Sequence, residues 1–187
     1  FDCDWSSDVC SSDLYVGDLG FNLPPPEGRG AVGRIILVMP DGSARVVADG
    51  LRFPNGIAVS SDHRRLVVAE MDGAGLADYD IAPDGGLSLR GRFGRLNDPD
   101  GICLDRDGAV WAASFTEDAF VRIDRDGVEL ERIAVPGRRA VACALGGTDR
   151  RTLFCLSAET SYEELRKGKS VPRIDVAEVG TPGDGFP

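Results

Sequence analysis

Short apolar runs, separated by Gly, Asp and Pro, follow one another along almost the whole chain after residue 15. Runs of this kind, rich in Val, Ile and Leu and bounded by turn residues, are typical of β-strands. The pattern therefore predicts an all-β fold. The predicted strands are 34–39, 44–48, 56–60, 65–70, 75–81, 101–105, 110–115, 120–125, 140–145, 152–157 and 173–178.

Segments 53–59 and 98–104 repeat one motif, in which Pro-Asn-Gly-Ile or Pro-Asp-Gly-Ile opens an apolar strand. Their matching polar residues, Asn55 and Asp100, are 45 residues apart, and 141–156 forms a third, looser copy. A repeat of about 40–50 residues is typical of the blades of a β-propeller. We therefore expect each unit to be a four-stranded sheet whose first strand lines a central channel.

The length of the chain limits the number of blades. Residues 15–187 suffice for roughly four blades, with 15–50 as the remainder of the first, whereas six blades need about 270 residues. Because Tyr15, Val16 and Gly17 read as the interior of a strand, we expect a truncated propeller rather than a complete small one.

The first fourteen residues have neither helical nor strand periodicity. Residues 4–14 resemble, word for word, one reading frame of a common short-read sequencing adapter. We therefore expect 1–14 not to be native, the natural sequence upstream of Tyr15 to be missing, and 15–187 to be the propeller domain. The alternative is a disordered native terminus rich in Ser and Asp.

Local turn and cap signals complete the secondary-structure prediction. Ser161 and Glu164 have the spacing of a capping box, which predicts one surface helix over 161–167. Composition predicts a loop over 23–28. Asp-Gly pairs predict tight turns in which the glycine has a positive φ, at 41–42, 84–85, 107–108 and 126–127.

The chain is acidic, with a formal net charge of −10 at pH 7. Without 1–14, which contain four Asp and no Lys or Arg, the charge is −6. An acidic chain without a Lys/Arg cluster argues against nucleic acid or an anionic membrane as a partner. No apolar run approaches the roughly 20 residues that span a bilayer.

Three cysteines lie beyond the first fourteen residues: Cys103, Cys143 and Cys155. Each is inside an apolar run, their number is odd, and there is no CxxC pair. This pattern predicts small buried thiols in a reducing compartment rather than a disulfide framework or a zinc site. We accordingly expect a cytoplasmic protein.

Three other motifs lack the context that their chemistry requires. Gly28, Gly30 and Gly33 fit GxGxxG, but a β-run follows them where dinucleotide binding needs a helix. His63 is the only histidine and lies in a polar turn without a GxSxG motif, which indicates a solvated turn residue rather than a catalytic base. The segment 105–108 departs from the spacing of a calcium loop.

Asn55 and Asp100 are the strongest candidates for a functional site. Asn-Gly and Asp-Gly often only make turns, which is the structural alternative. Both residues, however, follow Pro and precede Gly-Ile and an inner-strand pattern, so we expect both side chains at the same end of neighbouring strands. Their oxygens suit a hard cation such as Ca²⁺, Mg²⁺ or Mn²⁺, with at least one further ligand from elsewhere.

On these motifs, and on segments 15–21, 49–56, 99–105 and 145–154, the sequence resembles the SMP-30/gluconolactonase/luciferin-regenerating-enzyme family. The resemblance implies a six-bladed propeller in which a divalent metal is held by a first-blade Glu and by residues matching Asn55 and Asp100. That Glu has no counterpart in this sequence. The substrate-contacting Asn and Arg of the family, expected just before Tyr15, are also absent.

The resemblance implies a gluconolactonase-like hydrolase that opens sugar lactones through metal-activated water. Asp100 would be a metal ligand and general base, Asn55 a neutral ligand, and the cation Ca²⁺, Zn²⁺, Mn²⁺ or Mg²⁺. The expected partner is a small-molecule lactone, and this chain itself is expected to be poorly active or inactive. The alternative is a non-catalytic, metal-binding propeller that acts as a binding module.

Overall fold

The computed structural model describes residues 13–22, 30–73 and 75–184, and these residues are almost entirely strand and turn. The all-β prediction is confirmed. The elements are β1 (Leu14–Asp18), β2 (Gly33–Val38), β3 (Ala44–Leu51), β4 (Pro54–Val59), β5 (Arg65–Glu70), β6 (Gly75–Ile81), β7 (Leu87–Phe93), β8 (Pro99–Leu104), β9 (Val110–Ser114), β10 (Ala119–Ile123), β11 (Glu129–Ala134), β12 (Arg139–Gly146), β13 (Thr152–Glu159), α1 (Tyr162–Arg166) and β14 (Val171–Glu178), with a 3-10 turn at Met71–Gly73.

The described strands form four antiparallel sheets that follow one another in chain order. Two sheets have four strands, β4 to β7 and β8 to β11, and two have three, β1 to β3 and β12 to β14. The first strand β8 contacts both β4 and β12, the first strands of the neighbouring sheets, as the innermost strands of adjacent propeller blades do. The chain is therefore a partial β-propeller of about four blades.

Glycines set how closely the innermost strands approach one another. A Cβ added to Gly56 in β4 would lie 2.8 Å from the backbone nitrogen of Ile102 in β8. A Cβ added to Gly101 would lie 2.7 Å from the Cα of Ala142 in β12. Since real Cβ atoms do not approach backbone so closely, only glycine allows these strands to meet.

The hydrophobic core lies between successive sheets. Ile35, Leu66 and Val68 are fully buried between the first and second sheets. Val67 and Val110 are fully buried between the second and third. The third interface is filled by larger side chains, with Trp111, Phe120 and Leu153 fully buried. Burial of each such side chain contributes roughly 1.5–3 kcal/mol.

The first strand of the first sheet differs in direction from the first strand of the second sheet. Tyr15 in β1 donates a hydrogen bond (2.9 Å) to the carbonyl of Gly85 in the β6–β7 turn, whereas Gly17 lies beside Pro54 at the start of β4. Strand β1 is therefore antiparallel to β4 and matches the second strand of a blade. Among the described residues, this sheet has three strands and none at the innermost position, as expected for the remainder of a blade, whereas the last sheet has three strands in place of the four that were predicted for a whole blade.

Two strands were not predicted, Leu87–Phe93 and Glu129–Ala134. Both are the outermost strands of their sheets and are mostly exposed, so their polar sequences lack an apolar run. The predicted strands 65–70 and 75–81 have the observed bounds. The remaining predicted strands differ from the observed ones by one to three residues at one or both ends, because bulges and turns shift the ends of the strands.

The predicted turns and helix are confirmed where they are described. Ser161 precedes α1, and its side chain accepts a hydrogen bond from the Glu164 N–H at 3.2 Å. The Asp-Gly glycines have φ values of +81°, +76°, +76° and +83°, at Gly42, Gly85, Gly108 and Gly127. The predicted loop 23–28 lies outside the described residues, as do residues 1–12. Strand β1 begins at Leu14, and the foreign origin of 1–14 stays a prediction.

Residues 179–184 cross the end of the sheets opposite Asn55 and connect three of them. The Gly183 N–H donates to the carbonyl of Arg150 in the fourth sheet (2.8 Å), and the carbonyl of Pro182 accepts from Arg106 in the third (2.9 Å). The carboxylate of Asp184 accepts from the N–H of Ser61 in the second (3.0 Å). None of the helices within the described part of the chain is long and apolar enough to cross a membrane.

Candidate active site

Asn55 and Asp100 lie at matching bulges on neighbouring inner strands. The pairing of β4 with β5 shifts between Pro54 and Ile57, and that of β8 with β9 shifts between Pro99 and Ile102. A bulge bends a strand and redirects the side chain that it carries, and bulges are frequent beside active sites. These shifts also explain why both strands begin two residues before their predicted starts.

The third inner strand carries the same irregularity without a polar side chain. The pairing of β12 with β13 shifts between Ala140 and Ala142, which places Val141 at the position that matches Asn55 and Asp100. The bulge is thus a repeated feature of the blades, whereas the polar ligand-type residue occurs on two of them. The fourth sheet contributes an apolar side chain at this position.

The backbone before each bulge has an uncommon conformation. Phe53 and Asp98, each two residues before the candidate ligand, have φ values of +56° and +49°. A left-handed conformation of a residue with a side chain costs about 1–3 kcal/mol and persists only where the surrounding structure enforces it. The same left-handed conformation occurs in both copies of the motif, so it positions Asn55 and Asp100 in the same way.

Burial raises the pKa of the Asp100 carboxyl group from 3.8 to about 6. A hydrogen bond with the Asn55 side chain acts in the opposite direction, because it stabilises the carboxylate. The Asn55 amide nitrogen also lies 3.8 Å from the sulfur of Met71. Asp100 is therefore a base that loses its proton close to neutral pH, within reach of a neutral amide.

An aromatic side chain from α1 lies beside the Asp100 strand. The Tyr162 hydroxyl donates to the carboxylate of Asp98 (3.0 Å), and its ring packs on Phe115 with centroids 4.9 Å apart. Burial and the charges of Asp98 and Asp100 raise the pKa of Tyr162, which keeps it a neutral donor. Sequence analysis missed this residue, because no local signal connects α1 with a strand 64 residues away.

A second aromatic pair lies beside the Asn55 strand. The rings of Phe21 and Phe53 have centroids 5.6 Å apart and are tilted by 57°. Phe53 is the left-handed residue before Pro54, so its ring position follows from the same backbone feature that positions Asn55. Each candidate ligand thus has an aromatic pair connected to the residue two positions before it, Phe53 itself before Asn55 and, before Asp100, Asp98 through its hydrogen bond with Tyr162.

The donor set for a metal is small. Among the residues that the structure describes, no group of three or more His, Cys, Asp and Glu is arranged to hold an ion. Asn55 and Asp100 supply amide and carboxylate oxygens, which is the chemistry that Ca²⁺, Mg²⁺ and Mn²⁺ prefer. The two residues fit a hard cation as part of a site and need further ligands to complete it.

Glu70 is the nearest buried acid on the second sheet, and it has a structural role. Its carboxylate is 1% exposed, accepts from the Arg52 N–H at 2.8 Å and pairs with Arg92 at 2.5 Å. With Arg92 and Phe93 it lines a cleft of about 420 Å³ between the second and third sheets. Neither Asn55 nor Asp100 lines this cleft.

Two residues from the rejected motifs have other roles. The Asp105 carboxylate is fully buried, accepts from the N–H groups of Asp107 and Ala109, and pairs with Arg122 at 2.7 Å. It therefore closes a turn and neutralises a buried guanidinium. His63 is exposed and has a φ of +56° in the β4–β5 turn, as expected for a solvated turn residue.

A model of the SMP-30/Gluconolactonase/LRE-like region matches residues 7–159 of the chain. The chain belongs to this family. The predicted resemblance is thereby confirmed, and it includes both Asn55 and Asp100. The match begins at residue 7, within the stretch 1–14 that was predicted to be foreign.

Curated members of the SMP-30/gluconolactonase family include lactonases. The chain is 29% identical to pentonolactonase XacC of Haloferax volcanii, covering 81% of this chain and 57% of that protein. It is 31% identical to regucalcin of Danio rerio (78% and 50%) and 30% identical to 6-deoxy-6-sulfogluconolactonase of Pseudomonas putida (81% and 54%). The chain spans about half the length of the curated relatives it matches.

Solved structures of the family have the same fold. The chain superposes on luciferin-regenerating enzyme with a TM-score of 0.74 at 19% identity, covering 91% of this chain and 59% of that one. It superposes on a regucalcin of Agrobacterium tumefaciens with a TM-score of 0.65 at 20% identity, covering 95% and 60%. The propeller architecture is therefore shared with SMP-30/gluconolactonase proteins.

Proposed function

We propose that the chain carries part of the active site of a metal-dependent hydrolase that opens sugar lactones, and that Asn55 and Asp100 are ligands of its metal. The observation that carries the proposal is the placement of an amide and a partly buried carboxylate on matching bulges of adjacent inner strands. Relatives named as lactonases support the reaction type.

Lactone hydrolysis requires water to add to the ring carbonyl, after which the bond between the acyl carbon and the ring oxygen breaks. In our proposal Asp100 accepts a proton from the attacking water, because burial makes its carboxylate more basic than an exposed one. In the same proposal the neighbouring Asn55 side chain stabilises the ionised form of that carboxyl group, because it lowers the pKa. A bound Ca²⁺, Zn²⁺, Mn²⁺ or Mg²⁺ would supply Lewis-acid chemistry toward the carbonyl oxygen.

The proposed substrate is a small sugar lactone. The aromatic pairs Phe21–Phe53 and Phe115–Tyr162, which adjoin the segments that carry Asn55 and Asp100, provide apolar surface. A sugar ring has both apolar C–H faces and polar hydroxyls, so it can contact rings and hydrogen-bonding groups together. This arrangement supports a sugar lactone over a purely apolar ester.

The small number of candidate metal ligands among the described residues supports a second candidate function. Because the described residues supply two ligand side chains to the site, we propose that this chain alone hydrolyses lactones weakly or not at all. A propeller that binds a cation loosely and uses its channel end to bind another molecule is the alternative. Both candidate functions would use the same fold, so only the hydrolysis of lactones distinguishes them.

A hydrolysis assay separates the two candidates. Aldonolactones of five and six carbons are supplied, with each of the four cations in turn, to this chain and to a longer protein that contains it. The proposal expects metal-dependent turnover in the longer protein that Asp100→Asn removes, with an unchanged circular dichroism spectrum, whereas Asp126→Asn at an exposed turn leaves it intact. Absence of turnover on every aldonolactone would favour the binding module.

A further inference from the structure

Three thiols lie on neighbouring strands of the third and fourth sheets. Cys103 lies in β8 and is half-buried, Cys143 lies in β12 and is buried, and Cys155 is buried opposite Cys143 in β13. The prediction of buried thiols is confirmed for Cys143 and Cys155, whereas Cys103 is only half-buried. Their grouping was not predicted, and the Sγ atoms of Cys103 and Cys143 lie only 3.8 Å apart.

The strands that carry this pair are held together tightly. Gly101, two residues before Cys103, packs against Ala142, the residue before Cys143, so closely that a Cβ on the glycine would lie 2.7 Å from the Ala142 Cα. The Cys143 sulfur also contacts the carbonyl oxygen of Trp111 at 3.4 Å. The thiol pair is therefore fixed by the packing of two blades rather than by flexible loops.

We propose that Cys103 and Cys143 form an oxidation-sensitive thiol pair, which a hydroperoxide converts to a disulfide that joins the inner strands of the third and fourth sheets. The two sulfur atoms need to approach from 3.8 Å to about 2.05 Å. The change requires rotation of both side chains and a small shift of the two strands. The bond would lie three residues along β8 from Asp100 and would fix that strand against β12.

The reaction balances with a hydroperoxide as the two-electron oxidant. The half-buried Cys103 is the accessible thiol: its sulfur takes one oxygen atom from hydrogen peroxide to give a sulfenic acid, and one water is released. The sulfur of Cys143 then attacks the Cys103 sulfur, the S–O bond breaks, and the hydroxyl leaves with the Cys143 proton as a second water. Two thiols are oxidised and one peroxide is reduced to two waters.

Cys143 and Cys155 should respond differently to a hydroperoxide. The neighbouring Cys103 and complete burial raise the pKa of Cys143, so it reacts as the resolving thiol rather than as the first target. Burial raises the pKa of Cys155 to about 11, and its sulfur faces the carbonyl of Leu153 (3.9 Å). Cys155 should therefore remain reduced under the same conditions.

Tryptic mapping tests the proposal directly, because the three cysteines fall in separate peptides, 96–106, 140–150 and 152–166, and Cys3 and Cys10 fall in a fourth, 1–29. The full chain is treated with hydrogen peroxide, blocked with iodoacetamide and digested without reductant. We expect peptides 96–106 and 140–150 to appear as one linked species lighter by two hydrogens, with 152–166 alkylated. The linked species should disappear on reduction.

Matched variants complete the test. Cys155→Ser should retain the linked species, whereas Cys103→Ser and Cys143→Ser should each lose it while keeping the native circular dichroism spectrum. The oxidised wild-type chain should also unfold at a higher temperature than the reduced chain, a shift that Cys103→Ser removes. A bond between 140–150 and 152–166 would overturn the proposal, as would unlinked peptides at a peroxide excess that oxidises the half-buried Met39.

Discussion

Asn55 lies beside Asp100 across two neighbouring inner strands, and its side chain lowers the pKa of that carboxyl group, although the residues are 45 positions apart in sequence. Their closeness depends on Gly56, which packs directly on the backbone of 100–102. The polar residue and the glycine of each motif therefore have separate tasks. The glycine lets the strands meet, and the polar side chain occupies the place where they meet.

Replacement of Asp100 by Asn should stabilise the metal-free protein in a pH-dependent way. Because burial raises the folded-state pKa from 3.8 to about 6, the contribution of this carboxyl to stability is fully present below pH 4 and is lost as the pH rises through 6. At pH 8 the variant should be more stable by up to about 3 kcal/mol. Urea unfolding in EDTA at pH 4 and pH 8 measures this difference.

The same experiment contains its control. Asp80 is half-exposed and pairs with Arg90 on the surface of the second sheet, so Asp80→Asn should change stability by less than about 1 kcal/mol at both pH values. Equal stability of Asp100→Asn and wild type at pH 8 would contradict the assignment of a buried, destabilised carboxylate.

Replacement of Gly56 by Ala should destabilise the fold, because the added methyl group meets the backbone around Asp100 and Ile102. Overpacking of this kind costs about 1–3 kcal/mol. Gly91 in β7 is the matched control, since a Cβ there meets nothing within 4 Å and Gly91→Ala should be neutral or slightly stabilising. Urea unfolding measures the free energy of unfolding of the two variants. If Gly56→Ala were as stable as Gly91→Ala, the inner strands would be packed less tightly than the structure indicates.

Loss of the Asp105 carboxylate should be among the most damaging single changes. The group is fully buried and neutralises Arg122, so Asp105→Ala leaves a buried guanidinium with fewer partners. Removal of one member of a buried pair costs about 3–5 kcal/mol. Thermal unfolding should show this loss, while Asp80→Ala at an exposed pair should change the midpoint little. Similar midpoints for the two variants would contradict a structural role for Asp105.

The parts of the fold that sequence analysis predicted are those with strong local signals. The motif around Asn55 and Asp100 indicated the repeat and the inner strands, and Ser161 with Glu164 indicated the helix. The outer strands Leu87–Phe93 and Glu129–Ala134 escaped prediction because solvent lies on much of their surface. Burial, rather than intrinsic preference, produces the apolar pattern on which such predictions depend.

The surroundings of the candidate site could not be predicted, because they arise from contacts distant in sequence. Tyr162 reaches Asp98 across 64 residues, and Cys103 meets Cys143 across 40. The positive φ values of Phe53 and Asp98 also result from tertiary packing, since neither residue type favours that conformation enough to reveal it. Of the residues discussed at the candidate site, only Asn55 and Asp100 could be recognised from a motif that recurs in the sequence.

Isothermal titration of the chain with Ca²⁺, Mg²⁺, Mn²⁺ and Zn²⁺ at pH 7.5 tests most directly whether Asn55 and Asp100 hold a metal. Our account predicts saturable binding of at least one cation, weakened at least tenfold by Asn55→Ala and by Asp100→Asn and unchanged by Asp126→Asn at an exposed turn. Binding that is identical in all four proteins, or absent from the wild-type chain, would contradict it.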